Sequence, residues 1–368
     1  MKKRKAKRQR SALIEITNAF LTLLVLAILA MAAAFVYFAN DFYNKGDLKE
    51  DAIFVVERGN GLATISKNLQ ANNIISNSWA FQLGTRAQQK ERSIRAGEYK
   101  IAKFSSMADV LKELTEGTPI SYSVTIPEGF TSFEAVQRIN KAQYLVGEIV
   151  EIPPEGTLLP DTYSFEKGQD RATIIARMSA NLEKELADVW ANRSPDLPLK
   201  TKEELLILAS IIEKETGSPD ERAEVAGVFV NRLKKNMRLQ TDPSVIYGIT
   251  LGKGPLGRGL RQSELDKETP YNTYVIPALP IGPIANPGRA SLEAAANPAK
   301  TENIFFVAAG AHPSLGHLFA VTYADHQKNV ALYRKAVARA EKEAKEMQET
   351  KDKKEAEEAN TNNSEKTQ

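Results

Sequence analysis

A long apolar run near the N-terminus is the strongest feature of the hydrophobic pattern. No charged residue occurs from Ile16 to Asn40. A helix that crosses the hydrocarbon core of a bilayer needs about 20 such residues. We therefore predict a transmembrane helix over residues 18–39. A cleaved signal peptide is the alternative, because the small residues of 30–34 resemble a cleavage site.

The segment before this run, residues 1–17, is strongly basic. Seven of its first ten residues are Lys or Arg. Such residues favour the cytoplasmic side of a membrane. The pattern predicts a single-pass protein of the plasma (inner) membrane. Its N-terminus is expected in the cytoplasm, and everything after Asp41 in the periplasmic or extracytoplasmic space.

Shorter apolar patterns follow in residues 51–118. AIFVVERG and AGEYKIAKF read as strands, while GLATISKNLQANNII and SSMADVLKELTEG read as amphipathic helices. We expect the order strand–helix–helix–strand–helix. This order predicts a small α+β module.

Residues 119–335 are predicted to form a second, mixed α/β domain. SYSVTIPEGF opens it as a strand, and ENIFFVAA and HLFAVTY read as a final strand pair. Helices are expected over TSFEAVQRINKA, RATIIARMSANLEKELADVW and TKEELLILASIIEKET. Residues 240–300 are rich in Gly and Pro, which favours loops with short helices. The fold class as a whole is α+β.

A helix is expected from about residue 330, through NVALYRKAVARAEKEAKEM. The remainder of the tail, 336–368, ends in KDKKEAEEANTNNSEKTQ, which has almost no apolar residue. Such a composition cannot bury enough surface to order itself. We therefore expect the tail to be charged and disordered.

The composition narrows the possible functions. The formal net charge is only +3, so we predict no nucleic-acid partner. The chain has no cysteine, and the spacing of its three histidines matches no metal-ligand motif. We predict neither a metal nor a cofactor. Gly252, Gly254 and Gly257 spell GxGxxG, but Pro255 and the absence of a βαβ pattern argue against a nucleotide site.

The most informative residues lie in a helix that Thr201 and Glu204 begin as a capping box. Leu205, Leu208, Ile211 and Ile212 share one side of this helix, and Glu215 falls on the same side. A carboxyl beside apolar residues has a raised pKa. A glycosidic general acid needs this property. The alternative is a solvated glutamate at a helix end.

Polar and aromatic groups after this helix are candidates for sugar binding. Gln240 and Thr241 lie just outside a second helix start, for which Asp242 is most simply the N-cap. YNTY, which begins at Tyr271, offers aromatic faces, and LPIGPIANPG (279–288) could wall a groove. Turn chemistry and core packing are the alternatives. The candidate substrate-binding residues are Glu213, Asn231, Gln240, Thr241, Asp242, Tyr247, Tyr271, Asn272, Tyr274 and Asn286.

Several unusual motifs occur together and in order: EGTLLPDTYSF, ASIIEKET, VFVNRLKKNMRLQTDPSVIYG, YNTY and LPIGPIANPG. With them the chain resembles the YceG-like family of endolytic peptidoglycan transglycosylases. The resemblance implies that residues 51–118 are a LysM-like module and that Glu215 is the catalytic glutamate. Glu215-Thr216 is also similar to the Glu-Ser pair of other lytic transglycosylases.

The resemblance implies cleavage between N-acetylmuramic acid (MurNAc) and N-acetylglucosamine (GlcNAc) in nascent glycan strands. The product would carry a 1,6-anhydroMurNAc end, and glycan elongation would stop. The implied partners are glycan strands, the inner membrane and cell-wall synthases.

Three other functions remain open at this point. The first is a lysozyme-type hydrolase with Asp242 or Asp161 as a second carboxylate. The second is a non-catalytic membrane anchor that binds peptidoglycan. The third is a membrane scaffold that recruits partners through its charged ends.

Overall fold

The computed structural model describes the backbone of residues 2–365, and their side chains outside 2–13, 313, 349 and 352–365. The chain divides into two compact units. The first runs up to Tyr122 and includes Phe165–Gly168, and the second comprises Ser123–Ser164 and the residues from Gln169 onward.

The first unit consists of a long helix and a small α+β module, in the predicted order. The helix contains a 30-residue stretch, Ile14–Tyr43, whose most apolar 18-residue window has a mean hydropathy of 2.8 and no buried residues. Length and composition allow this stretch to cross a membrane. The elements are α1 (Lys2–Tyr43), β1 (Ala52–Val56), α2 (Leu62–Ala71), α3 (Ser78–Ala87), β2 (Gly97–Ile101) and α4 (Met107–Glu116).

Strands β1 and β2 pair in antiparallel register, with Phe54 opposite Tyr99. One face of this pair packs on the three short helices. The last turn of α1 joins the same core, because Phe42 is only 3% exposed. Its ring lies against Gly84 of α3, so closely that a Cβ atom there would overlap it.

The second unit carries most of the remaining elements. Two further sheets have two strands each, β3 with β4 and β5 with β6, and the first two residues of β3 and the last two of β4 belong to the first unit. The elements are β3 (Ser121–Thr125), α5 (Ser132–Lys141), β4 (Thr162–Glu166), α6 (Arg171–Ala191), α7 (Lys202–Glu215), α8 (Arg222–Lys234), α9 (Asp242–Thr250), α10 (Gln262–Leu265), α11 (Arg289–Ala296), β5 (Phe305–Ala308), β6 (His317–Ala320) and α12 (Tyr323–Glu365).

Helix α7 is the centre of the second unit. All eight residues of 205–212 are buried, so the helix is enclosed on every side rather than along one stripe. Helices α6, α8, α9 and α11 pack around it. A helix that is apolar all round must lie inside the core, and this position makes α7 a rigid carrier for the residue at its end.

Three helix boundaries differ from the predictions. Ser218, Pro219 and Glu221 are typical of an N-cap, a first-position proline and a capping box, but helix α8 begins at Arg222, because the Glu221 carboxylate binds the backbone N–H of His317 at 2.6 Å. Helix α9 has Thr241 at its N-cap and Asp242 in its first turn. Helix α12 continues to Glu365, where the sequence predicted disorder, since the tail's Ala, Glu and Lys residues are good helix formers.

Candidate active site

Glu215 is the last residue of α7. The helix starts as predicted, since the Thr201 hydroxyl accepts a hydrogen bond from the Glu204 backbone N–H at 3.2 Å. The Glu204 carboxylate, however, binds the Lys200 N–H instead of closing a full capping box. The buried helix therefore delivers Glu215 to the edge of the core, where the side chain is only partly exposed.

The surroundings of Glu215 keep it protonated to an unusually high pH. Burial raises the pKa of Glu215 to about 7, and the nearby charge of Asp242 acts in the same direction. A hydrogen bond from the Thr241 hydroxyl to Oε1 of Glu215 opposes this rise, as do His317 and Arg232. A carboxyl that holds its proton near neutral pH can act as a general acid.

Thr241 is held in place by a buried network of hydroxyl groups. Its backbone N–H donates to Thr273 Oγ1 at 2.9 Å, and its carbonyl accepts from Ser244 Oγ at 2.8 Å. The Ser244 and Thr273 hydroxyls are themselves 2.9 Å apart. These hydrogen bonds hold the Thr241 hydroxyl in a single orientation towards the Glu215 carboxyl.

Gln240 directly precedes this network and has a left-handed backbone, with a φ of 53°. This conformation is unfavourable for a residue with a Cβ atom. A hydrogen bond of 3.1 Å from its N–H to the Thr273 carbonyl holds it there. The Gln240 side chain is exposed beside the candidate acid.

Arg232 of α8 binds the backbone next to Gln240. It is only 8% exposed, and its guanidinium donates to the carbonyls of Ile304 at 2.7 Å and Leu239 at 2.8 Å. A longer bond of 3.3 Å reaches Gln240 Oε1. Its positive charge also lowers the pKa of Glu215. The sequence analysis did not single out Arg232.

Asp242 is the second carboxylate of the site. The Tyr274 hydroxyl donates to its Oδ1 at 2.6 Å, and burial raises the pKa of Tyr274. Asp161, the other carboxylate considered from the sequence, accepts a bond from the adjacent Thr162 N–H. Of these two, Asp242 is the carboxylate whose charge acts on Glu215.

Glu213 has a different neighbourhood from Glu215, because residues two apart in an α-helix point in directions roughly 200° apart. Its carboxylate accepts a hydrogen bond of 2.9 Å from the Gly288 N–H. It therefore anchors the end of the LPIGPIANPG loop. Glu128 lies against Gly288. Burial raises the pKa of Glu128, and the charge of Glu213 contributes to the rise.

The side-chain amides of the three candidate asparagines bind backbone groups, which differs from the sugar-facing position we expected. Asn286 accepts from the Leu158 N–H at 2.9 Å and donates to the Phe130 carbonyl at 3.0 Å. Asn272 donates to three loop carbonyls. Asn231 donates to two carbonyls in 301–303. The physical reason is that a buried amide is most stable when backbone groups satisfy it.

Tyr247 and Tyr271 form an aromatic pair, with ring centroids 4.9 Å apart. Both rings pack against the core around α7. Tyr247 also shares a hydrogen bond with Glu155, and burial raises the pKa of both groups. Sequence reasoning missed Glu155, whose carboxylate accepts from the Ser132 N–H at 2.8 Å.

His317 and Glu221 are further residues that sequence reasoning missed. His317 Nδ1 lies 2.9 Å from a carboxylate oxygen of Glu221, and the imidazole acts electrostatically on Glu215. No local pattern could have revealed this, because β6 and α7 are far apart in the chain. Glu128, by contrast, lies in a short local motif, IPEG, from which the sequence alone could have marked it as a candidate.

Comparison with known proteins connects this arrangement to a family. The sequence profile of the YceG-like family matches residues 54–332. The chain belongs to the YceG-like family. A structure described as a putative YceG-like protein from Listeria monocytogenes is 28% identical and covers 76% of this chain and 99% of its own, with a TM-score of 0.46.

Two YceG-like relatives carry the name endolytic murein transglycosylase. The protein of Streptococcus pneumoniae serotype 2 is 26% identical over 324 residues, which are 75% of this chain and 57% of that protein. The protein of Bacillus subtilis strain 168 is 26% identical over 314 residues, or 77% of this chain and 84% of that protein. The chain thus spans little more than half the length of the pneumococcal relative.

Proposed function

We propose that this YceG-like protein is an endolytic lytic transglycosylase that cuts the MurNAc–GlcNAc bond of nascent peptidoglycan strands. Glu215 carries the proposal: it is a single carboxyl at the end of a buried helix, with a pKa of about 7. The names of the relatives support the same reaction. Murein is peptidoglycan, so the substrate class follows from those names.

In the proposed reaction Glu215 first donates its proton to the glycosidic oxygen, and the bond from that oxygen to C1 of MurNAc breaks. The C6 hydroxyl of the same MurNAc then attacks C1. Its proton passes to the Glu215 carboxylate as the new C1–O6 bond closes the 1,6-anhydro ring. No water is consumed, and one carboxyl serves as acid and then as base.

Neighbouring residues have supporting roles in this scheme. The Thr241 hydroxyl orients the Glu215 carboxyl, and the negative charge of Asp242 favours positive charge developing at C1. Gln240, exposed beside Thr241, is our candidate for contact with sugar hydroxyls or acetamido groups. Tyr274 positions Asp242 through its hydroxyl.

The N-terminal regions fit a membrane-bound enzyme. We propose that Ile14–Tyr43 crosses the plasma membrane with the N-terminus inside. The module of residues 51–118 would act as a LysM-like unit that docks glycan. Cell-wall synthases are proposed partners, since they make the strands to be cut.

The test is digestion of purified, uncross-linked glycan strands with the full-length protein in detergent, followed by mass analysis of the new ends. A transglycosylase leaves anhydro ends that are one water lighter than reducing ends. Reducing ends would instead identify a lysozyme-type hydrolase. No new ends of either kind would favour the non-catalytic anchor.

Two variants identify the acid. Glu215→Gln keeps the shape but cannot donate a proton, so cleavage should fall by about 10²–10⁴-fold. Glu213→Gln can still accept the bond from Gly288 and should retain much more activity. A dead Glu213→Gln beside an active Glu215→Gln would reverse the assignment.

A further inference from the structure

Two adjoining cavities lie on the second unit, beside the residues that carry the candidate acid. One, of about 400 Å³, is bounded by α9 and by Lys214 and Arg258. The other, of about 710 Å³, runs along α5. Glu134 and Gly254 line both cavities. The two therefore adjoin at these residues, and we call them together the α5–α9 groove.

One wall of the groove is the glycine-rich segment 252–257. Gly252, Gly254 and Gly257 all have positive φ angles. The Thr131 hydroxyl donates to the Gly252 carbonyl at 2.6 Å, and a Cβ atom at Gly252 would lie only 3.0 Å from Thr131. Gly252 thus allows a close approach between this loop and the start of α5, so the wall is held in place there.

The groove is rich in positive charge. Arg138, Lys141 and Lys253 line its larger part, and within the described residues no ion pair involves any of them. The one acidic residue there, Glu134, directs its carboxylate to the Thr131 N–H at 2.9 Å. Like charges in a concave surface focus the electric field and attract anions.

The smaller part of the groove reaches the neighbours of the catalytic candidates. Lys214 immediately precedes Glu215, and Pro243 immediately follows Asp242; both line this part. The Lys214 ammonium donates to the Gly129 carbonyl at 3.2 Å. Adjacent residues of a helix rise only about 1.5 Å along its axis, so the backbone positions that line this end of the groove are the immediate neighbours of Glu215 and Asp242.

We propose that the α5–α9 groove binds the carboxylates of the stem peptides carried by the glycan strand. This inference rests on the proposed function. Sugar hydroxyls and acetamido groups are neutral and need no cationic groove, whereas stem peptides bear several carboxylates. The groove therefore makes the enzyme prefer strands whose peptides are still attached.

The experiment compares two lipid-free substrates: strands with stem peptides, and the same strands stripped of them by an amidase, with the lactyl carboxylates that the amidase frees then converted to amides. The groove variant is Arg138→Gln/Lys141→Gln/Lys253→Gln. Each exposed charge pair is worth a factor of roughly two to three. The ratio of kcat/KM on peptide-bearing to stripped strands should therefore fall about tenfold, mainly through KM. The wild-type preference should also weaken as salt is added.

The matched control is Lys234→Gln/Lys235→Gln/Lys300→Gln, which removes three exposed charges outside the groove. It should keep the wild-type ratio. An unchanged ratio in the groove variant would overturn the proposal, as would an equal fall in both triple variants. A preference that appears only when strands carry a terminal pyrophosphate would also overturn it, in favour of phosphate.

Binding separates this proposal from the proposed function. Calorimetric titration of the Glu215→Gln chain with both strand preparations gives the affinity ratio without any cleavage. Tighter binding of peptide-bearing than of stripped strands, lost on the groove substitutions, supports the groove. This holds even if the wild-type protein cuts no strand. Equal affinities for the two preparations refute the groove even if cleavage is observed.

Discussion

The hydrogen bond from Thr241 to Glu215 has a direct consequence for the pH dependence of cleavage. This bond favours the charged carboxylate and so lowers the pKa of Glu215 below the value that burial alone would give. Thr241→Val removes the hydroxyl and nearly preserves the shape. The pKa of Glu215 should therefore rise in this variant.

The size of the shift follows from the strength of such bonds. A hydrogen bond to a charged group is worth about 1.5–3 kcal/mol, and one pH unit corresponds to about 1.4 kcal/mol. With Glu215 starting from a pKa of about 7, Thr241→Val should move it upward by at least about one unit. Asp242→Asn removes a negative neighbour and should move it downward.

The assay is kcat/KM for strand cleavage as a function of pH. Cleavage needs protonated Glu215, so the alkaline limb of the profile reports the pKa of the free enzyme's acid. The limb should move up in Thr241→Val and down in Asp242→Asn. Glu213→Gln is the control and should leave it in place. A limb that moves down in Thr241→Val would refute the role of this bond.

Four further predictions follow from the structure. Glu215→Gln should be more stable than the wild type at pH 8, by at most about 3 kcal/mol. The reason is that the folded wild type holds the Glu215 proton more tightly than the unfolded chain does, so its stability falls as the pH rises from about 4.5 to 7. Denaturation curves of the two proteins that agree at both pH 4 and pH 8 would contradict this. Asn286→Ala should lower the free energy of unfolding by about 1–3 kcal/mol, since the buried Leu158 N–H loses its acceptor while the Phe130 carbonyl keeps the backbone N–H of residue 286, and urea titration measures the loss. A reporter fused after residue 368 should be active only outside the cytoplasm, and activity inside would exclude the proposed topology. Deletion of 51–118 should weaken strand binding in a pull-down while leaving cleavage chemistry possible; unchanged binding and kinetics would exclude a docking role.

Local patterns in the sequence were sufficient for much of the fold. The order of elements in the first unit and the presence of a final strand pair, β5 with β6, agree with the predictions. These features depend on the periodicity of apolar residues over short windows. The separation of Glu213 and Glu215 was also predictable, because it depends only on the geometry of one helix.

Contacts between distant segments were not predictable in the same way. Ser218, Pro219 and Glu221 read as a helix start, but the Glu221 carboxylate is occupied by His317 of β6. The enclosure of α7 on every side likewise depends on helices before and after it in the chain. The asparagines illustrate the same limit, since an amide suited to sugars is equally suited to buried carbonyls.

The join between α1 and the small module has a mechanical consequence. Phe42 is buried in the core of the module, and the Ser76 hydroxyl donates to Asp41 at 3.0 Å, so no flexible tether separates helix and module. The apolar stretch Ile14–Tyr43 is about 45 Å long at 1.5 Å per residue, while the hydrocarbon core is about 30 Å thick. With the proposed span in place, the helix is a rigid spacer that fixes the distance between the module and the membrane surface. Under the docking role proposed for the module, altering the length of this helix by one turn should change the length of the strands that the enzyme leaves.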